Sequence, residues 1–496
     1  MCLQSTEKTP LLGPSSAKEA MEGAKGTQYM GALAACMSAM AVGTTMGWTS
    51  AAGILTADRT APEDFRTSKD DFSWVSAFLS IGAIIGAIPL GILANLIGRK
   101  KVLLFLAPFM VIAYLLLAWA NSVWMLYLAR FILGAVTGAY CVVAPMYTGE
   151  IAEASIRGVL GSYFQLLITG GILFVYVLAA LELDLFWVNI ACACIPAVMA
   201  AMVSFFPDTP RWYLSKGQTD SAKSSLRFFR GSSYDVDREI QEIQTSLDEE
   251  AAAKLPITEA FSTTAAKKGL FLALSVMIFQ QFSGINAVIF FSAQIFEAAH
   301  STLKPSVATV VVGCCQIVAT YVSTLLIDRL GRRILLILSG LSMALSGAVL
   351  GVYFYLDLLK DVDIGWLPIL CMVVFIVMFS LGYGPIPWLY MSEVFSAQIK
   401  ETAMSIATVM NWASVFVVTK FYDQLSTAIG NYSTFWIFSA ISITGCFFTF
   451  FFVIETKGKA FEQILRELGG STPSNGTVQA SDTVYTNCKK VDAEKY

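Results

Sequence analysis

Apolar stretches of about twenty residues recur along this chain, separated by charged or turn-forming segments. A helix needs about 20 apolar residues to cross a bilayer. The pattern predicts twelve such spans, at 28–50, 72–95, 102–120, 123–147, 158–180, 185–206, 269–297, 306–327, 333–355, 365–390, 402–422 and 433–454. Barrel strands would be about half this length, and an open sheet would strand its backbone groups in lipid. The expected fold is an all-α membrane protein with twelve transmembrane helices.

Composition agrees, because 56% of residues are hydrophobic and 14% charged. Basic residues follow the second, fourth, eighth and tenth spans, in "GRKK", at Arg157, in "DRLGRR" and at Lys400. The loops of the opposite side include "NS", "ELD" and "DQLSTAIGNYS". The positive-inside rule then puts both termini in the cytoplasm. The first outer loop, "TADRTAPEDFRTSKDD", is a mild exception that its acids balance. No cleavable signal is expected, and the polar tail from "GGSTPSNGT" onward reads as disordered.

Little here suggests chemistry. The 10 cysteines are mostly scattered through apolar runs without a metal-ligand framework, and they read as small buried hydrophobes. The single histidine, His300, reads as a solvated loop residue, and Asn431 as an unused glycosylation acceptor beside the last span. No catalytic, metal or phosphate-binding constellation is present, so neither an enzyme nor a cofactor is expected, and nucleic acid is not among the expected partners.

The chain repeats itself. "IGRKK" after the second span matches "LGRR" after the eighth, and "FFPDTPR" closes the sixth where "FVIETKG" closes the twelfth. "YTGEIAEASIR" matches "YMSEVFSAQIK", so Tyr147, Glu150 and Arg157 correspond to Tyr390, Glu393 and Lys400. Three matches in the same order point to duplicated halves that rock around a central site, as in a transporter. The expected organisation is a cytoplasmic tail at 1–27, a six-helix half at 28–206, a charged helical linker at 207–267, a second half at 268–454 and a tail at 455–496.

"PMYTGEIAEASIRG", "FPDTPRWYL", "QQFSGIN", "DRLGRR", "GYGPIPWLYMSE" and "ETKG" resemble the sugar-porter branch of the major facilitator superfamily, from the first span to the twelfth. Within that branch the chain looks most like the insect facilitated trehalose transporters, while "EKTPLLGP" is closer to intracellular glucose transporters. The resemblance implies a small neutral sugar as substrate.

Three amides interrupt the seventh span, Gln280, Gln281 and Asn286. On a regular helix they point different ways, so Ser283-Gly284 is expected to break the helix and turn them into one polar cavity. "GYGPIPW" at 382–388 should break the tenth span, with corresponding interruptions in the first half at "VGTTMGW" (42–48) and "GAVTGAY" (134–140). Amides suit sugar hydroxyls because both groups donate and accept. The family likeness implies a pocket of Gln165, Gln280, Gln281, Asn286, Gln316, Trp388 and Asn411, with Trp412 beside it. Bonding between helices is the alternative role for the amides, and core packing for Trp388. Gln316, Ser380 and the segment Met277-Ile278-Phe279 depart from what glucose carriers have at these places. A disaccharide such as trehalose is therefore favoured over glucose.

Arg99, Glu150, Arg157, Arg332, Arg333, Glu393 and Lys400 are expected to gather at the inner mouth as a gate. Opposite charges from the two halves would pair there when that mouth closes, unless these charges only set topology. Glu7, Leu11 and Leu12 fit an acidic dileucine signal that a clathrin adaptor could read, or match it by chance. That leaves the plasma membrane as the expected location and an endosomal or lysosomal membrane as the alternative. Proton-coupled relatives carry an Asp in the first span near Thr49, which cannot titrate, so uniport is expected over proton symport. A sugar-sensing receptor with little flux is the other reading, disfavoured by the short tail after "ETKG".

Overall fold

A computed structural model describes residues 23–57, 68–153, 155–232, 234–252, 261–359, 364–395, 397–459 and 461–469. The sorting residues Glu7, Leu11 and Leu12 lie outside them. The described residues contain helices and no strand. Six long helices come first: α1 (Lys25–Ala57), α2 (Lys69–Ile97), α3 (Arg99–Ala118), α4 (Val123–Ile151), α5 (Arg157–Ala180) and α6 (Leu185–Ser204). The linker forms α7 (Pro210–Ser215), α8 (Thr219–Arg230) and α9 (Val236–Ala252). Then follow α10 (Thr264–Phe282), α11 (Ile285–Phe290), α12 (Ser292–Ala298), α13 (Pro305–Leu330), α14 (Arg332–Leu358), α15 (Leu367–Leu381), α16 (Ile386–Val394), α17 (Ala397–Phe452) and α18 (Phe461–Glu467).

Among the described residues, eleven stretches are long and apolar enough to cross a membrane. The last, Thr402–Phe452, has 51 residues. At about 1.5 Å per residue it would reach roughly 77 Å, well over the ~30 Å of one hydrocarbon core. Gly430 interrupts it with non-helical backbone (φ 83°, ψ 155°). The expected outer loop before the last span is thus mostly helix, ending on one glycine that supplies the left-handed turn. Helices also run past the apolar stretches. α2 starts on a capping box in which Ser68 Oγ accepts the Asp71 N–H and the Asp71 carboxylate accepts the Ser68 N–H.

Two expected interruptions are present and two are not. Gly284 takes a left-handed conformation (φ 92°) between α10 and α11, and residues 382–385 separate α15 from α16. The seventh span breaks again at Phe291, between α11 and α12. α1 and α4, by contrast, run unbroken through "VGTTMGW" and "GAVTGAY". Their glycines serve close approach. A Cβ on Gly43 would sit 2.0 Å from Ile168 O of α5, and one on Gly134 would sit 2.0 Å from Leu79 O of α2. In lipid, where apolar burial drives little association, backbones gain from meeting this closely.

α1 packs on α5, α2 on α4 and α3 on α6, while α10 and α14 pack on α17 and α13 on α15. The two sets meet where α17 lies along α2 and α13 along α5. The linker helices share a small core of Leu214, Ala222, Leu226, Val236 and Ile240. Arg230, nearly fully buried, joins α8 to α9 through Glu239 (2.7 Å) and to the first set through the Ile151 carbonyl (2.7 Å). Past the last span, α18 follows with Ile464 and Leu468 buried.

Candidate functional site

Helix α10 ends on its two glutamines because Gly284 stops it there. Gln280 Nε2 donates to Tyr383 O (2.6 Å) and Gly384 O (3.0 Å), carbonyls that the break between α15 and α16 releases from helical bonding. Gln280 Oε1 accepts from Asn411 Nδ2 of α17 (2.9 Å) and from Gln281 Nε2 (3.4 Å). Asn286, carried round by the left-handed turn, donates to Gln281 Oε1. Gln280, Gln281, Asn286 and Asn411 are all buried, and they form one chain of amides across both broken spans and α17. Such a chain is worth keeping only when each member is satisfied. Gln280, engaged at both ends, is its anchor.

The other expected pocket residues stand apart from this chain. Gln316 on α13 is buried and Gln165 on α5 half-buried, and neither side chain bonds a described residue. Gly313, one turn before Gln316, packs on Leu173 and Tyr176 of α5, so that face of α13 looks toward the first six helices. Trp388 packs with Met277, Met391 and Ala407 in one apolar cluster. Trp412 packs with Ala83 and Val415 in another, against α2. The two indoles thus belong to different environments.

The charged motifs make two matching clusters. After the Gly98 turn, Arg99 meets Glu150 (2.9 Å); Thr209 Oγ1 donates to the same carboxylate (2.5 Å), and Asp208 Oδ1 accepts the Arg99 N–H (3.1 Å). After the Gly331 turn, Arg332 meets Glu393 (2.7 Å), Thr456 Oγ1 donates to Glu393 (2.6 Å), and Glu455 Oε1 accepts the Arg332 N–H (2.9 Å). Each arginine opens a helix directly beside the carboxylate of its own set. Arg157 reaches the Ala152 carbonyl (3.5 Å), and Arg333 turns outward over the Phe450 ring (5.4 Å). Lys400 is half-buried, and burial lowers its pKa against the opposing pull of Glu393.

The two partner carboxylates differ. Burial raises the pKa of Asp208 despite three backbone N–H donors. Burial also pushes Glu455 up, but four backbone donors, from Arg332, Arg333, Thr456 and Lys457, more than offset it and leave its pKa lowered. This follows from exposure, since the more solvated carboxylate loses less water.

Sequence reasoning passed over Arg130. It is fully buried in α4, donates to Val75 O (3.2 Å), Thr45 O (2.8 Å) and Thr49 Oγ1 (2.9 Å), and lies 5.0 Å from the Trp48 ring centre. A basic residue in the middle of an apolar run was its signal. It meets the polar side of α1, where the Thr49 hydroxyl accepts its hydrogen bond.

The family described as sugar (and other) transporter matches residues 22–468. A facilitated trehalose transporter Tret1-2 homolog of Drosophila sechellia is 37% identical over 91% of this chain and 93% of its own length. The facilitated trehalose transporter Tret1 of Apis mellifera ligustica is 36% identical over 89% of this chain and 88% of its own. Among solved structures, the xylose transporter XylE of E. coli in a partially occluded inward-open conformation superposes with a TM-score of 0.74 at 24% identity, over 87% of this chain and 99% of that one. At that identity the likeness speaks for the fold. A family match over nearly the whole chain, with the duplicated clusters and the amide chain at two broken spans, identifies a carrier rather than an enzyme: the chain belongs to the sugar-porter branch of the major facilitator superfamily.

Proposed function

We propose that this protein is an alternating-access uniporter of a neutral sugar, trehalose first and glucose or another hexose next. The amide chain at the two broken spans carries the reading. Gln280 holds the break in place, while Gln281 and Asn286, bonded to each other, exchange that bond for sugar hydroxyls when substrate enters. Gln165 and Gln316 are the remaining polar ligands, since both have amides to spare. Trp388 and Trp412 offer apolar faces, and Asn411 orients Gln280. The names of the insect relatives favour trehalose.

The architecture we propose has twelve spans in two six-helix halves, 28–206 and 268–454, with 207–267 as the linker and both termini in the cytoplasm. Gly430 supports a count of twelve by dividing the 51-residue stretch, and the duplicated clusters support the halves. The clusters then lie at the cytoplasmic mouth. Bonds between the halves gather at the other end, as expected of an inward-facing state. Thr49, rather than a carboxylate, faces Arg130, which favours uniport over proton symport. Residence in the plasma membrane is the default, modulated by an adaptor if Glu7, Leu11 and Leu12 act as a signal.

Uptake of labelled trehalose, glucose and fructose into proteoliposomes holding only this protein tests the proposal. Trehalose is expected to equilibrate, with no accumulation above the external level at pH 5.5 or 7.5. Saturable sugar binding without flux would mean a sensor, and accumulation abolished by a protonophore would mean a symporter.

A further inference from the structure

The proposed halves are tied together at the end remote from the charge clusters. Lys420 of α17 donates to Asp70 Oδ1 (2.7 Å) and to Ser73 Oγ (2.7 Å), both on α2, and lies 4.4 Å from the centre of the Trp74 ring. Gln424 Nε2, one turn further along α17, reaches the same Asp70 oxygen (3.2 Å), and Phe416 packs on Trp74 (6.3 Å). Lys69 and Asp423 stand within electrostatic reach of this group. The Lys420 side chain is 6% exposed, whereas that of Asp70 is 62% exposed. An ammonium this dehydrated is stable only while its hydrogen-bond partners and the ring face stay in place. All of those partners belong to the opposite half.

The same end is held elsewhere. Ser50 Oγ of α1 accepts the Ala293 N–H (3.1 Å), Tyr176 of α5 donates to Ile289 O (2.7 Å), and Glu182 pairs with Lys304 (2.8 Å). Those bonds engage the short segments α11 and α12 or the solvent. Lys420 alone among these groups is a buried charge on a full span.

We infer that Lys420, held by Asp70, Ser73 and Trp74, is the latch of the outer entrance, and that sugar enters from outside only after α17 has drawn it away from α2. The inference rests on the alternating-access reading. Apparent affinity from each side scales with the fraction of carriers that face it. Lys420→Met removes the ammonium and leaves behind only an exposed carboxylate, so it should favour the outward-facing form. The expected result is a KM for entry lowered by about five-fold and a KM for exit raised by a similar factor. Asp70→Asn is the second variant. It should shift both constants the same way by less, and the double variant should resemble Lys420→Met alone, because both changes act on one bond.

Entry and exit are measured in proteoliposomes of uniform orientation, with wild-type flux in both directions recorded first. Opposed shifts with a non-additive double variant support the latch. Shifts of both constants in one direction, a change in maximal rate only, or strict additivity would overturn it. Wild-type protein that moves no sugar would overturn the carrier reading together with the latch, whereas normal wild-type flux with unmoved constants would overturn the latch alone.

Discussion

Spans one and four carry glycine-rich stretches much like those of spans seven and ten, yet the first pair stays helical and the second pair breaks. In α1 and α4 the glycines face neighbouring backbones: Gly43 meets α5, and Gly134 meets α2. In the second set of helices, Gly284 lies at φ 92°, and the Gly382–Pro385 segment leaves carbonyls for Gln280 to take. Helix packing and helix breaking use the same residue for different reasons, one for the absent side chain and the other for the open φ range. What separates the two cases here is the partner waiting nearby. A glutamine amide satisfies the broken span, and a flat backbone surface rewards the intact one.

The largest expected effect is at Gly284. An Ala there would need a left-handed backbone and would place its Cβ 2.5 Å from the Phe438 ring. Gly284→Ala should cost about 2–4 kcal/mol and abolish transport, read as a fall in the melting temperature of detergent-solubilised protein and as lost uptake. A stable, active Gly284→Ala protein would mean that the break is dispensable.

Next come two adjacent glycines of α5. Gly171→Ala would set its Cβ 2.1 Å from Met40 O and should cost about 1–3 kcal/mol, while Gly170→Ala meets nothing within 4 Å and should be neutral or slightly stabilising. Equal melting temperatures for the two variants would remove close approach as the explanation for the intact spans.

The amide chain separates anchoring from binding. Gln280→Ala strands the Tyr383 and Gly384 carbonyls and should lower stability by about 1–3 kcal/mol. Asn286→Ala should leave the melting temperature nearly unchanged and weaken sugar binding by about 1–3 kcal/mol, read as a raised KM. The reverse pattern would exchange the two roles.

The smallest effect concerns Asp208 and Glu455. A carboxyl whose folded pKa is lowered stabilises the protein above its unfolded pKa, and that contribution is lost as pH falls through the folded value. Glu455 is such a group. A raised folded pKa acts the opposite way, so Asp208 weighs against the fold near neutral pH and is relieved on acidification through its raised value. Melting curves from pH 7 down to pH 4 should therefore flatten in Glu455→Gln and steepen in Asp208→Asn. Identical slopes in both variants would show that the clusters are electrostatically equivalent despite their different exposure.

Much of the molecule was legible in its sequence. Apolar run length predicts the spans because lipid penalises every unpaired backbone group, and the matched motifs predict corresponding charged members in the two parts of the chain. Which carboxylate each arginine meets in this conformation was not legible, since charge type does not tell whether an arginine will reach its own set of helices or the other one. Lys420 carried a readable signal, a lone base in an apolar run, but nothing local named Asp70, 350 residues away, as its acceptor.

The sequence by itself determined that this is a helical membrane carrier with repeated charged motifs and with amides at a broken span. Hydropathy, glycine and motif spacing are local, and lipid reads them locally. The tertiary structure alone decided which glycine stretches break, which amide takes the freed carbonyls, and which charges meet. Those outcomes depend on what lies across the interface: a carbonyl freed by another span, a backbone close enough to exclude a methyl group, or a carboxylate that ends the isolation of a buried ammonium.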